Sequence, residues 1–429
     1  MLKKKISTFD TILYITCLTP ALVLSLKGSI SAIAYITTLF FLVSLAKKHS
    51  DYQEIWRSFK LLFLISLIYP LYIVIQMIGF DIWKGSRLEY ILRFLLFIPI
   101  VSVVAISNKK TSVLLGITSA FGAFIACIYG VVSITVDDLS FQDGTRAWNF
   151  YTNPIPYGNI SLLLGFLSLI PLFTHEKTLK LSQRLILMIG FVSGITASLL
   201  SGARGGWVAM PILLGIIFLL TSKRKQNSIN FKLVFLVLAV IVIPLAFFHE
   251  LIYIRLNFIF SDIAHYFSGV NKYTSVGARL DMWLTALTLW LESPLFGIGI
   301  GQLKAATSEF VQTKGFPEYL LDYNHSHNDF LFVLAEQGLI GLSLFMSYYI
   351  LPFVYFISFL KKENKEQFCL ALMGITVVLS FFIFGLTEAM QAIMFQLSFY
   401  ITIIALLMAR LWQSEHRFEN DLINKNESF

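Results

Sequence analysis

The chain has 429 residues, a mean hydropathy of +0.75 and only 14% charged residues. A soluble domain of this length could not bury so much apolar surface, so the composition predicts an all-α, polytopic membrane protein. The net charge of +8 could suggest nucleic-acid binding, but its distribution along the chain is that of a membrane-topology signal, and no nucleic-acid partner is expected.

Twelve apolar runs of about 17–25 residues are long enough to cross a bilayer as helices. They do not alternate apolar and polar residues, which excludes a β-barrel. The first run follows the basic start MLKKKI but has no clean cleavage site, so we expect it to be retained. The predicted spans are Phe9–Leu26, Ser29–Ala46, Leu61–Phe80, Ile91–Ser107, Ser112–Thr135, Tyr157–Thr174, Leu185–Gly202, Gly205–Ser222, Leu233–His249, Leu339–Leu360, Phe368–Thr387 and Ala392–Ala409.

Lysine and arginine are unequally divided between the two sets of connections. The set that includes both termini carries 22 of the 33 basic residues and the opposite set carries ten. Because basic residues accumulate on the cytoplasmic side, both termini are predicted to be cytoplasmic.

Two outward connections are unusually long, which is typical of functional loops. They are Val136–Pro156 and Glu250–Phe330, the latter with an extension to Gly338. The chain is therefore predicted to divide into 1–249, with nine spans and a periplasmic loop near 136–156, then a periplasmic segment 250–338, then 339–429 with three spans and a cytoplasmic tail. Within the middle segment, Ala278–Leu291 has apolar residues at helical spacing and predicts an amphipathic helix at the membrane surface.

A dense polar cluster, DYNHSHND, precedes the tenth span at Asp322–Asp329. The apolar sequence that follows, Phe330–Leu360, has 31 residues, about ten more than a span requires. A bend at Gly338 or Gly341 would leave a short lead-in helix, with His327 at its start near the outer membrane surface.

Three arginines on the outward side are candidate anion ligands. Arg204 lies in the turn SGARGG between two predicted spans, where flanking glycines allow close approach to a phosphate. Arg279 begins the amphipathic helix, and Arg146 lies in the aromatic loop DGTRAWNFY. The alternatives are a snorkelling arginine that fixes the turn, an interfacial anchor and a structured lid, respectively.

His327 is the candidate base, because histidine is the residue type best suited to accept a proton near neutral pH. His325 and Asn328 adjoin it, and Glu388 at the outer end of the eleventh span could orient a basic group or an acceptor. The spacing of the two histidines is poor for a helical metal site, so no metal is expected. The three cysteines have no metal-ligand spacing, and the GIGIG sequence at Gly297–Gly301 is interpreted as a hinge rather than a dinucleotide loop.

The polar cluster resembles the signature of the O-antigen ligase family, within the wider ligase and polymerase superfamily. That signature is His followed by Asn, Ser or Gln, then nine residues, Gly, two residues, and Gly, Thr or Tyr. Here it is His327-Asn328, Asp329–Gln337, Gly338, Leu339-Ile340 and Gly341. The GARLDMW stretch at Arg279 and the turn at Arg204 are also similar to the family.

The resemblance implies a GT-C-like fold of about twelve helices with a helical periplasmic segment between spans nine and ten. It implies an inverting, metal-independent glycosyltransferase of lipopolysaccharide biosynthesis in the bacterial inner membrane, without a cofactor. Such an enzyme transfers a glycan from undecaprenyl pyrophosphate to a sugar hydroxyl of lipid A-core. By the resemblance, His327 would be the base, and Arg204 and Arg279 would hold the pyrophosphate. Arg146, Asn328, His325 and Glu388 are further candidate substrate-binding residues.

Two alternatives remain open at this point. An O-antigen polymerase or a protein O-oligosaccharyltransferase would use the same lipid-linked donor, and only the acceptor distinguishes them. A twelve-helix transporter would predict a long connection after the sixth span and an internal repeat. The connection 175–184 is short and no repeat is evident, which favours the enzyme.

Overall fold

The computed structural model of the protein describes residues 7–45, 51–83, 85–136, 146–224, 231–390 and 393–426, and within these ranges every regular element is a helix. The predicted all-α class is confirmed. Met1–Ile6 and residues 137–145 of the loop near 136–156 lie outside the described residues. The first nine α-helices are α1 (Thr8–Cys17), α2 (Thr19–Leu22), α3 (Ser29–Leu45), α4 (Asp51–Ser58), α5 (Lys60–Gly79), α6 (Gly85–Leu92), α7 (Phe97–Val104), α8 (Ser112–Val136) and α9 (Pro154–Thr174). The others are α10 (Leu181–Ser201), α11 (Arg204–Ser222), α12 (Phe231–Phe247), α13 (His249–Ser268), α14 (Ser275–Glu292), α15 (Leu303–Lys314), α16 (Asp329–Phe359), α17 (Lys365–Gly385) and α18 (Met394–Asn426).

Among the described residues, eight helices are long and apolar enough to cross a membrane, or nine if α12 and α13 form one broken span. The eight are α5, α8, α9, α10, α11, α16, α17 and α18. Each coincides with a predicted span, so the prediction of a multi-pass membrane protein is confirmed. The count of twelve is not.

The other four predicted spans fall in short or interrupted helices. α1 stops before Pro20, and α3 has 17 residues. A 3-10 turn at Arg93–Leu96 separates α6 from α7, where buried Arg93 donates to Ser31 and Ser398. The α12–α13 pair is bent by 72°. Hydropathy averaged over a window does not register such breaks, because one proline or buried arginine barely changes the mean.

The bundle is centred on α9, whose apolar window is buried among α8, α10, α11 and α17. Glycines allow the closest approaches at one end of this bundle. A Cβ on Gly205, in the first turn of α11, would lie 2.0 Å from Thr387 Oγ1 in the connection after α17. The α10–α11 turn and the α17–α18 connection are therefore in contact at that end.

The predicted bend in the tenth span is present at Gly338. This residue interrupts α16 with φ 64° and ψ −166°, a conformation open essentially to glycine alone. The GIGIG segment is not a free hinge: Ile298 and Gly299 donate backbone hydrogen bonds to Ala335 and Glu336, just before the break. Leu339 and Ile340 donate back to Pro294 and Leu295. The segment thus satisfies backbone groups that the bend removes from the helix.

Gly338→Ala is expected to destabilise the protein, because the added Cβ would lie 2.3 Å from the backbone carbonyl of Leu295 in a glycine-only conformation. Such backbone strain costs about 1–3 kcal/mol, before the clash is counted. Thermal unfolding of the purified protein in detergent measures the effect. Gly215→Ala in α11 is the matched control, since its Cβ would meet nothing within 4 Å; equal unfolding midpoints for the two variants would contradict the role of Gly338.

Candidate functional site

His327 lies in a strained turn immediately before α16. Its φ of 48° is left-handed, which is uncommon for a residue with a Cβ. Asn328 fixes the turn: its side-chain oxygen accepts from the backbone N–H groups of Phe330 and Leu331, each at 3.0 Å. Its Nδ2 donates to Leu386 O at 3.0 Å, which ties the start of α16 to the end of α17. The amide of Asn328 is therefore engaged in holding the position of His327.

Glu388 contacts the imidazole of His327 from the α17–α18 connection. The distance from His327 Nδ1 to Glu388 Oε2 is 2.9 Å, and Glu388 is only 2% exposed. Burial by itself would raise the pKa of Glu388, but the hydrogen bond from His327 and nearby positive charge, including that of Arg279, lower the pKa below its usual value. An ionised carboxylate only accepts, so Nδ1 of His327 donates this hydrogen bond, and Nε2 is the ring nitrogen available to a substrate.

His325 packs against the same imidazole. The two ring centroids are 4.4 Å apart, and the backbone N–H of His327 donates to His325 Nδ1 at 3.3 Å. Burial, followed by repulsion from His327, lowers the pKa of His325 to about 4. His325 is therefore neutral near pH 7 and accepts a hydrogen bond within the turn.

The His325–His327–Glu388 group also has a geometry relevant to metal binding. One potential ligand atom from each side chain lies within 4.8 Å of the others. The sequence offered no third ligand for the two histidines, and the fold supplies one. This donor set fits a divalent cation. The distance of 2.9 Å between His327 Nδ1 and Glu388 Oε2 also fits a direct hydrogen bond. The expectation that no metal binds therefore stays a prediction.

Arg204 and Arg279 meet at Ser275, a residue that no sequence pattern selected. Arg204 Nη2 and Arg279 Nη1 donate to the hydroxyl of Ser275 at 3.2 and 2.9 Å. Arg204 also donates to the backbone oxygen of Arg255, and Arg279 Nε donates to Thr387 O, next to Glu388. Burial lowers the pKa of Arg279, whereas the charge of Glu388 opposes that shift. The two guanidinium groups and the His327–Glu388 pair thus lie around one centre.

Arg146 and Arg255 extend the cationic cluster. Ala147 donates its N–H to Leu200 O, which brings the segment of Arg146 against the end of α10. Burial, then repulsion from Arg255, Arg204 and Arg279, lowers the pKa of Arg146 to about 10, so it remains charged at neutral pH. No sequence pattern selects Arg255, because no glycine turn or polar motif flanks it.

The charges of this centre favour an anionic ligand. Among the described residues, Arg146, Arg204, Arg255 and Arg279 lie near two carboxylates, Glu388 and Asp262, so arginines outnumber carboxylates here. Arginine binds phosphate oxygens through two parallel N–H groups. A group with two negative charges, beside an imidazole that can accept a proton, fits this arrangement.

The exposed side of α14 agrees with a location at a membrane surface. Leu284, Leu287 and Leu291 are 52%, 38% and 67% exposed, on a helix whose other face packs on the protein through Ala278 and Met282. These three leucines belong to the predicted amphipathic stripe, and the structure leaves them uncovered by protein.

Comparisons with known proteins agree with the sequence signature. Residues 189–346 match the family described as O-antigen ligase, a range that includes Arg204, Arg255, Arg279, His325 and His327. The chain is also 30% identical over 311 residues to an uncharacterized protein of Haemophilus influenzae, a similarity that covers 70% of this chain and 73% of the relative.

Proposed function

The chain belongs to the O-antigen ligase family, and we propose that it transfers a glycan from undecaprenyl pyrophosphate to a sugar hydroxyl of lipid A-core on the periplasmic side of the bacterial inner membrane. Membership makes it a membrane enzyme of the glycosyltransferase type. The observation that carries the finer proposal is the hydrogen-bonded His327–Glu388 pair beside four converging arginines.

In the proposed reaction the acceptor hydroxyl gives its proton to Nε2 of His327. Its oxygen then forms a bond to the anomeric carbon as the bond from that carbon to the pyrophosphate oxygen breaks. The electron pair of the broken bond leaves on the pyrophosphate. Attack opposite the leaving group inverts the configuration, and the lipid-linked donor already holds the activation, so alignment and charge stabilisation suffice.

The side chains divide this work. Arg204 and Arg279 bind the pyrophosphate and stabilise its developing charge, and Arg146 and Arg255 add positive charge around it. Glu388 stabilises the imidazolium that forms on His327. We assign His325 and Asn328 a positioning role, because their hydrogen bonds hold the turn that aims the imidazole. No step in this scheme requires a metal ion.

Glu388→Gln is expected to lower kcat by about 10²-fold with KM nearly unchanged, because the amide keeps a hydrogen-bond acceptor but removes the charge that stabilises the imidazolium. Transfer by the purified variant measures both constants. Glu318→Gln, at an exposed position before the polar cluster, is the control and should retain wild-type rates. A Glu388→Gln enzyme with unchanged kcat would remove Glu388 from the mechanism.

A deletion strain tests the proposed acceptor. Lipopolysaccharide gels of a ligase mutant should lack all long chains while lipid-linked polymer accumulates. A single repeat left on the core would instead identify a polymerase. Normal lipopolysaccharide with loss of protein-bound glycan would identify a protein O-oligosaccharyltransferase.

A further inference from the structure

A cavity with a basic rim lies at the end of the helix bundle opposite His327. Its volume is about 500 Å³, and it is lined by the last turns of α11 and α16 and by the first turn of α17. α11 runs for 19 residues from Arg204 to Ser222, about 28 Å at 1.5 Å per residue. That is close to the thickness of the hydrocarbon core, about 30 Å, so the cavity faces the other leaflet from the proposed active site.

The rim of this cavity is basic. Lys223 and Arg224 follow α11, and Lys361 and Lys362 follow α16, while Glu363 is the acidic residue among those that line it. Lys362 pairs with Glu415 at 2.8 Å. Arg224 donates to the backbone oxygen of Glu363, and its guanidinium lies 4.5 Å from the ring centroid of Phe368. Arg224 is thereby held at the mouth of the cavity by contacts that leave its charge in place.

The walls below this rim are apolar. Leu220 and Ile357 line the cavity one turn further into their helices, and Leu360 and Phe368 complete that side. Cations above and hydrocarbon below, at the ends of two membrane-spanning helices, match a ligand with an anionic head and apolar chains. A soluble anion would gain nothing from the apolar walls.

We propose that this cavity binds the phosphate headgroup of an anionic phospholipid in the leaflet opposite the active site. Its acyl chains lie along Leu220 and Ile357, and Arg224, Lys361 and Lys362 contact the phosphate. Basic pockets between transmembrane helices are suited to such headgroups, in particular the doubly charged headgroup of cardiolipin. The site is separate from the glycan-transfer centre and does not depend on the function proposed for that centre.

Native mass spectrometry of the full-length protein in detergent tests the site, with thermal unfolding as a second readout. The probes are cardiolipin, phosphatidylglycerol, phosphatidylethanolamine and inorganic phosphate. Cardiolipin and phosphatidylglycerol should bind and raise the unfolding midpoint, whereas phosphatidylethanolamine and phosphate should do neither. Equal binding of phosphatidylethanolamine would overturn the charge selectivity, and stabilisation by phosphate alone would identify an ion site instead of a lipid site.

Variants locate the binding. The triple variant Arg224→Gln, Lys361→Gln, Lys362→Gln should bind cardiolipin about 10²-fold more weakly, since each of the three basic residues near a membrane surface contributes about fivefold in affinity. The control removes three other charges on the same predicted face, by Lys110→Gln, Lys177→Gln and Lys180→Gln, and should bind as wild type. Equal loss in both variants would reduce the effect to the general charge of that face. If the triple variant does not fold, Lys361→Gln alone, at an exposed position, should weaken binding about fivefold, and unchanged binding would overturn the proposal.

Discussion

Replacing His327 by alanine lowers glycan transfer by about 10²–10⁴-fold, the usual contribution of a general base, while the protein remains folded and inserted. His327 lies in the turn before α16 and not within a membrane-spanning stretch, so the substitution leaves the packing between the spanning helices in place. Transfer by purified protein in proteoliposomes measures the loss.

A second substitution separates chemistry from backbone strain. His327→Asn keeps a residue type that tolerates the left-handed conformation at φ 48°, and it should be as inactive as the alanine variant. His265→Ala, on an exposed position of α13, serves as the control. Glycan attachment at the wild-type rate in either His327 variant would remove this residue as the base.

The conservative variants Arg204→Lys and Arg279→Lys each lower transfer strongly, by about 10²-fold or more for a lost transition-state contact. An ammonium group is a point charge, whereas a guanidinium offers a rigid fork for two phosphate oxygens. Both arginines are aligned by the same hydroxyl, Ser275, and lysine cannot preserve that contact and a bidentate contact together. The decrease should appear in kcat/KM.

Arg57→Lys, an exposed arginine of α4, is the matched control and should have no effect. Full activity of Arg204→Lys would mean that the guanidinium only anchors the turn to lipid headgroups, which is the alternative that the sequence left open. The double variant Arg204→Lys, Arg279→Lys should be no more active than either single variant. Higher activity of the double variant would contradict a diphosphate site shared by the two arginines.

Local sequence patterns predicted the parts of the fold that local physics controls. The excess length of Phe330–Leu360 required a bend, and Gly338 provides it. The glycines around Arg204 predicted a tight turn, and Gly202 ends α10 there with φ 62°. Each helix with an uninterrupted apolar run was also predicted correctly as a span, because the length and hydropathy of such a run are local properties of the sequence.

Other features depend on contacts between distant segments, which no local pattern encodes. Glu388 contacts His327 across 61 residues, and Arg204 donates to the backbone oxygen of Arg255 across 51 residues. The glycines of the GIGIG segment indicated flexibility. In the structure these glycines instead allow the segment to lie against the backbone of α16, where a Cβ on Gly297 would be 2.4 Å from Gln337 N.

Reconstituted transfer is the most direct test of the proposed chemistry. Purified protein in proteoliposomes would receive polyprenyl pyrophosphate-linked glycan and lipid A-core, with a chelator present, and both glycan attachment and release of free polyprenyl pyrophosphate would be followed. Equal amounts of the two products, formed in the presence of chelator and absent with the His327→Ala protein, are predicted. An intact donor after incubation with wild-type protein, or transfer that the chelator stops, would contradict the assignment of His327 and the arginines as the groups that carry the reaction.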